Sequence, residues 1–308
     1  MQEINEGFYF LRSNSNGLGY LLKLGVDTIN ISAISDKFQA CLLDKLVDGD
    51  KVLLIDNMWT TVDFYFYSIT EKRYLWHVQG ISGNLKCEII YNVNPTTKLF
   101  TIINKQDGKI KWQFNFAQYI VFDKAKSFRK TVNFDFLTSY ENQLICVVNS
   151  DKILSIDINT SEILWELTES KYENSEVKMD IFQIDFFGVV DNIVYVLQRS
   201  IYLELDIIKK ECIIKKDFRI DNADNNLRCL RCTFYKGKFY FLADFGESMN
   251  TNNKFGIFNI ETKQVEKIIE IKLPRGVFLR ENPVVDDKYL YIKDSAHTIY
   301  IYERGKDF

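Results

Sequence analysis

The sequence predicts an all-β chain folded as a β-propeller, most simply seven blades of four antiparallel strands. Three observations carry that expectation. A nine-residue phrase recurs as SITEKRYLW at 68–76, NKQDGKIKW at 104–112 and DINTSEILW at 157–165, each ending in tryptophan. Two weaker copies follow, DIIKKECII from Asp206 and NIETKQVEK from Asn259, with Ile214 and Lys267 in the tryptophan's place. Each phrase is preceded by a pair of strand-like runs joined by a tight turn, such as QLICVV and KILSID.

The elements follow in chain order within each unit. The residues that open the phrases, with further anchors near Leu24 and Tyr302, fall about 44, 36, 53, 49, 53 and 43 residues apart, a period found in propellers and arrays. A less regular apolar segment, such as TVNFDFLTS, supplies a first strand. The alternating pair supplies the second and third. A polar turn (KQDGK, NTSE, ETKQ) then leads to a fourth strand carrying the tryptophan. One such sheet cannot bury both faces, so it packs on the next, and a ring leaves no terminal face bare. Seven units account for 308 residues as a single domain, 1–308. The short spacing around Cys87 leaves six and eight open. The last unit has only ERGKDF after Tyr302. The expectation is therefore that an N-terminal strand, Gln2 to Asn5, takes the outermost place there and closes the last blade.

Trp76, Trp112 and Trp165 are expected on outer strands, packed between neighbouring blades, because a large ring repeated at one position joins successive sheets. The turn before each tryptophan needs a residue that accepts positive φ. Gly108 supplies it once, while Ser161 and Lys72 must manage without glycine.

The pattern Asp-x-x-Thr-Gly-Lys-x-x-Trp at a strand–turn–strand position resembles the repeat of the quinoprotein-like propellers, with Asp157, Thr160 and Trp165 matching in one copy and Gly108, Lys109 and Trp112 in another. The resemblance implies the scaffold, whose members are PQQ-dependent dehydrogenases and cofactor-free relatives. It does not imply the cofactor. The quinone enzymes carry adjacent cysteines over the quinone, and this chain has no Cys-Cys. No cofactor is expected.

Composition narrows the function classes. The net charge is −3, whereas a chain built to hold phosphate backbones carries excess lysine and arginine, so nucleic acid is not the expected partner. No run approaches eighteen apolar residues, so no membrane span is expected. The N-terminus MQEINEGFYF has acidic residues where a secretory signal would be basic, and the reading is cytoplasmic. Six scattered cysteines are then read as reduced and mostly buried.

Candidate chemistry is sparse. Cys229 and Cys232 form CLRC, which lacks the second ligand pair of a zinc site. Residues three apart in a regular strand also point to opposite faces. His77 and His297, the only histidines, lie beside no serine or cysteine nucleophile motif. DNADNN at 221–226 lacks the glycine and glutamate of a calcium loop. No catalytic or metal-binding residue is named. The expected function is a non-catalytic propeller that binds a protein partner through its rim, itself a monomer; a cytosolic immunity protein that neutralises a toxin is one concrete form. Three segments are the expected contact loops: AKSFRK with Lys124 before it (Lys124, Lys126, Arg129, Lys130), KYENSEVKMD (Tyr172, Glu173) and ESMNTNNK (Met249, Asn252). The alternative is an enzyme or binder that takes a carbohydrate or other small molecule at the central channel mouth, with acids gathered from several blades.

Overall fold

The structure, a computed structural model, describes residues 2–4, 7–13, 19–25, 31–33, 42–47, 51–56, 63–68, 70–78, 84–86, 89–119, 122–123, 128–129, 133–149, 152–172, 175–178, 187–221, 227–245 and 252–306. The chain divides into two compact units, residues 1–134 with 159–161, and residues 135–158 with 162–308.

The first unit holds three four-stranded antiparallel sheets. They are β1 (Gln2–Ile4), β2 (Gly7–Ser13), β3 (Gly19–Gly25) and β4 (Ile31–Ala33); then β5 (Leu42–Val47), β6 (Lys51–Asp56), β7 (Asp63–Ser68) and β8 (Arg73–Val78); then β9 (Asn84–Lys86), β10 (Ile89–Asn94), β11 (Leu99–Ile103) and β12 (Ile110–Asn115). A short hairpin, β13 (Phe122–Asp123) with β14 (Phe128–Arg129), follows. Phe66, Trp76, Ile90 and Ile103 form one apolar cluster across two of these sheets. Phe100 and Phe116 are fully buried, and each ring lies 4.9 Å from that of Phe134.

The second unit continues the plan. Its sheets are β15 (Phe134–Tyr140), β16 (Gln143–Val148), β17 (Lys152–Asp157) and β18 (Ile163–Leu167); a six-stranded sheet of β19 (Glu169–Tyr172), β20 (Ser175–Lys178), β21 (Phe187–Val190), β22 (Ile193–Gln198), β23 (Ile201–Asp206) and β24 (Glu211–Asp217); then, after the one-turn helix α1 (Phe218–Asp221), β25 (Arg228–Tyr235), β26 (Lys238–Asp244), β27 (Lys254–Asn259) and β28 (Gln264–Glu270); and last a three-stranded sheet of β29 (Val284–Val285), β30 (Tyr289–Lys293) and β31 (Ile299–Glu303). Three apolar clusters alternate with these four sheets, each drawing buried residues from two successive ones. Leu144 to Val148 and Ile153 to Ile156 are buried on both faces, so these middle strands read as continuous apolar runs.

The repeated phrase folds the same way each time. Its first residue caps the turn with its side chain. Ser68 Oγ accepts from the Glu71 amide at 3.1 Å, Asn104 Oδ1 from Gln106 at 3.0 Å, Asp206 Oδ1 from Ile208 and Lys209 at 3.0 and 2.9 Å, and Asn259 Oδ1 from Glu261 at 2.8 Å. The fifth residue is left-handed in all five copies: Lys72 (φ 53°), Gly108 (71°), Ser161 (65°), Lys210 (57°) and Lys263 (55°). The expected positive φ at Lys72, Gly108 and Ser161 is thus present and extends to both weak copies.

Three expectations are corrected. The strand expected to close the last blade pairs elsewhere: β1 joins β2, with Gln2 opposite Tyr9 and Ile4 opposite Gly7. Two residues separate these strands, so the hairpin costs far less loop entropy than a pairing about three hundred residues away. The segment 171–180 is not a plain loop. Lys171 and Tyr172 end β19, which pairs antiparallel with β20 and parallel with β24. Ser170 is buried there while Glu169 and Lys171 face out, an alternation that lets the hairpin cover the β24 edge. Finally, Cys229 and Cys232 do not point to opposite faces. A bulge between Leu230 and Thr233, with Arg231 left-handed at φ 49°, brings both into one apolar cluster.

Candidate functional site

The outer strands meet the turns of the sheet that follows, and the three tryptophans do this in different ways. Trp76 on β8 is 9% exposed, stacks on Phe66 at 5.0 Å and donates its Nε1–H to the Lys105 carbonyl at 2.9 Å. Its ring lies against Gly108, where an added Cβ would fall 2.7 Å from Trp76 Cε3. Trp112 on β12 is half-buried and edge-on to Phe100 at 5.8 Å, while its neighbour Lys111 donates to Asn159 Oδ1 at 3.0 Å. Trp165 on β18 packs on the cluster that includes Val194, Leu205 and Ile207, and its Nε1 donates to Gln143 Oε1 at 2.9 Å. Ser155 Oγ donates to the same oxygen at 2.8 Å.

The weak copy on β24 differs for a physical reason. In four copies the register shift lies beside the turn; between β23 and β24 it lies between Tyr202 and Leu203, farther from the turn. A one-residue change of register reverses which face a side chain meets. Ile214, in the tryptophan's place, therefore joins the cluster that Trp165 enters from the preceding sheet. Lys216 reaches forward instead, donating to the Lys263 carbonyl at 3.5 Å.

The titratable groups are engaged in structure. Asp294 is 2% exposed. Burial pushes its carboxyl up, but the Thr298 and Ala296 amides and the Tyr300 hydroxyl together hold it below its usual value. Asp217 is raised by burial and pulled down further by Arg219, which grips it from Nη2 at 2.5 Å and Nε at 2.9 Å. Asp206, Glu266 and Asp286 are likewise lowered against an opposing burial effect, by turn amides or by lysine and amide side chains. Burial pushes the Cys212 thiol up to about 12 and raises Cys229 and Cys232 as well. His77 is exposed and stacks on Tyr65 at 5.0 Å, and His297 sits exposed in the turn after Asp294 at φ 67°.

The expected contact residues scatter. Lys124, Lys126, Lys130, Glu173 and Met249 lie outside the described residues, as do 222–226 of the DNADNN segment; Arg129 ends β14, where only the backbone is described. Tyr172 is half-buried against the cluster that holds Trp165. Asn252 is 9% exposed and accepts from the Lys254 amide at 3.2 Å, capping a hairpin rather than offering surface.

A feature that sequence reading passed over is on the last sheet. A groove of about 690 Å³ lies against β29 and β30, lined by Arg231, Arg280, Lys293, Val284 and Ile299 among others. Val284, Ile299 and Ile301 are 62%, 57% and 59% exposed on one face, while Tyr300 and Tyr302 pack inward. The signal was present in TIYIYE, an alternating run whose unit lacks a fourth strand.

No family model matches the chain, and no curated protein matches it. Among the described residues, no helix is long and apolar enough to cross a membrane. Solved structures are similar. BamB from Moraxella catarrhalis aligns at 12% identity with a TM-score of 0.55, over 98% of this chain and 88% of its own. The β-propeller domain of Cps50 (Swd1) from Myceliophteria thermophila aligns at 10% identity with a TM-score of 0.57, over 98% of both chains. The dihydro-heme d1 dehydrogenase NirN aligns at 9% identity with a TM-score of 0.60, over 99% of this chain but 63% of its own. At such identities the likeness speaks to fold alone, and with the repeated four-stranded sheets it places this chain in the β-propeller class.

Proposed function

We propose that the chain is a single propeller of seven blades over residues 1–308 and that it works as a non-catalytic scaffold, binding a protein partner through its rim. One observation carries the reading. Every described aspartate or glutamate whose protonation is displaced is displaced toward the ionised form, by turn amides or by neighbouring cations. A general acid for glycoside chemistry needs the opposite, a carboxyl pushed up by an apolar site. The buried thiols are raised as well, which removes nucleophilic character. What remains available is surface: loops that differ between units on a repeated frame. Neutralisation of a toxin in the cytoplasm is the narrowest form of this reading.

The test is affinity capture of the tagged chain from lysate of its source with quantitative mass spectrometry, then reconstitution from purified components. A near-stoichiometric protein that survives moderate salt and re-forms the complex in purified form is the expected result. Recovery of the bait alone, across several growth conditions, overturns it.

A further inference from the structure

We infer that the groove between β28 and the turn after β31 is a docking site for a tryptophan side chain of a protein partner, carried between acidic residues. The inference rests on the protein-binding reading above and adds the place and chemistry of contact. Both walls belong to the second unit, one to the sheet of β25–β28 and the other to the last sheet.

Register shows what the groove is. On β28, Lys267 stands opposite Ile257 beside the bulge, as Trp76 stands opposite Phe66 on β8. Across the gap, the Arg304 amide bonds to the Lys288 carbonyl as the Ile158 amide bonds to that of Asn142, so Arg304 is second in its turn. Lys105 is second in the turn of NKQDGKIKW. The first copy joins these positions with an indole: Trp76 stacks on Phe66 at 5.0 Å and donates to the Lys105 carbonyl at 2.9 Å. The copy on β28 has no indole, and a groove of about 470 Å³ lies there, lined by Ile257, Lys267, Arg304 and Gly305 among others. Lys267 itself is exposed. The Arg304 carbonyl, counterpart of the acceptor at Lys105, receives no hydrogen bond among the described residues.

The lining suits an aromatic ring beside negative charge. The Arg304 guanidinium lies 5.2 Å from the Tyr235 ring and 5.8 Å from the Tyr240 ring, and its Nη1 donates to the Asp286 carbonyl at 2.7 Å. It is thus fixed in place, and an aromatic ring can stack on it without ordering a free side chain. The two carboxylates of the groove are already matched. Glu266 takes Lys238 at 2.7 Å, and Asp287 takes Lys236 and the Tyr235 hydroxyl. Lys267 has no ion-pair partner among the described residues. The surplus positive charge of Lys267 and Arg304 favours acidic residues on either side of the ring.

The experiment uses the full chain and a short peptide whose central fluorotryptophan is flanked by glutamates, followed by fluorine NMR. Saturable broadening and shift of the fluorine signal are expected. Unlabelled peptides with alanine for the tryptophan, or lysine for the glutamates, should compete roughly tenfold more weakly than the parent. K267W supplies the indole from the chain itself. It should abolish peptide binding, and its added tryptophan should emit at shorter wavelength than an exposed one. K267E should bind the peptide roughly tenfold more weakly and lose the preference for glutamate over lysine. Circular dichroism checks that each variant folds. Absence of saturable binding, or binding indifferent to K267W and K267E, overturns the inference. So does binding that appears only after residues 307–308 are removed, which would mean that the chain's own end fills the groove. An exposed emission from K267W with peptide binding retained would show that an indole has no seat there. None of these outcomes bears on the capture experiment, so the two readings fail separately.

Discussion

Gly108 offers the sharpest test of how one sheet is held to the next. Its φ of 71° invites the usual explanation, that only glycine accepts a left-handed turn. The other copies refute that explanation, because Lys72, Ser161, Lys210 and Lys263 hold the same region with side chains attached. What distinguishes Gly108 is Trp76, whose Cε3 and Cδ2 would lie 2.7 and 2.8 Å from an added Cβ. In Gly108→Ala the left-handed backbone costs about 1 kcal/mol. Loss of freedom in the unfolded chain offsets about 0.4–1 kcal/mol of that. The remaining cost is overpacking against a ring held by its bond to Lys105, about 1–3 kcal/mol. Trp76→Ala alone should cost about 3–5 kcal/mol. With the ring gone, Gly108→Ala should keep only the backbone cost, about 0–0.6 kcal/mol, so the coupling equals the overpacking cost, about 1–3 kcal/mol. The assay is urea unfolding of wild type, both single variants and the double variant, followed by circular dichroism and a second probe to check cooperativity. Equal destabilisation by Gly108→Ala in both backgrounds would sink the argument and return the explanation to φ alone.

Three further outcomes follow from the same contacts. Trp165→Phe keeps an aromatic ring but loses the bond to Gln143, whose Oε1 still has Ser155 as donor, so the loss should be about 1–3 kcal/mol in urea; no loss at all would mean the indole bond contributes nothing. Asp294 has its folded pKa below the unfolded value of 3.8, so its contribution is present above that value and is lost as pH falls through the folded pKa. The stability gap between wild type and Asp294→Asn should therefore be steady from pH 7 to 5 and close at acid pH, and a gap that widens below pH 4 would contradict the assignment. Cys146, Cys212, Cys229 and Cys232 are buried, three with raised thiol pKa, so iodoacetamide at pH 8 should label them only after unfolding, as mapped by peptide mass spectrometry. Rapid native labelling of any of the four would show that its burial is wrong.

The repeat was legible because its turn is built from side-chain chemistry that a sequence displays. Ser, Asn or Asp at the first position caps the turn, and the fifth position turns left-handed whichever residue stands there. Register was not legible. The bulge that unites Cys229 with Cys232, and the displaced one that reverses Ile214, each arise from one residue more or less in a ladder, and apolar alternation reads much the same with or without it. The hairpin β19–β20 was hidden for a related reason. Its charged residues resemble a loop, whereas in β19 Glu169 and Lys171 occupy the solvent face of an edge hairpin. Asn252 lies in ESMNTNNK, an expected contact loop for its length and charge, yet its polarity serves a backbone amide. The candidate groove joins residues from three separate segments, around Arg231, Arg280–Val284 and Tyr291–Ile299, and only the fold brings them together.

Degeneracy among the copies then has a structural meaning. The turn tolerates Ser, Asn or Asp as its cap, and lysine or serine holds the left-handed position in the other copies. The tryptophan is less easily replaced where, as at Trp76, it both fills an intersheet space and donates to the neighbouring sheet. Where it is absent on β24, a shifted bulge supplies Ile214 to the sheet behind and Lys216 to the turn ahead, so two residues divide what Trp76 does alone. The last sheet goes one step further. It has no fourth strand among the described residues, hence no residue in the tryptophan's place, and Ile299 and Ile301 remain exposed where β17 is covered.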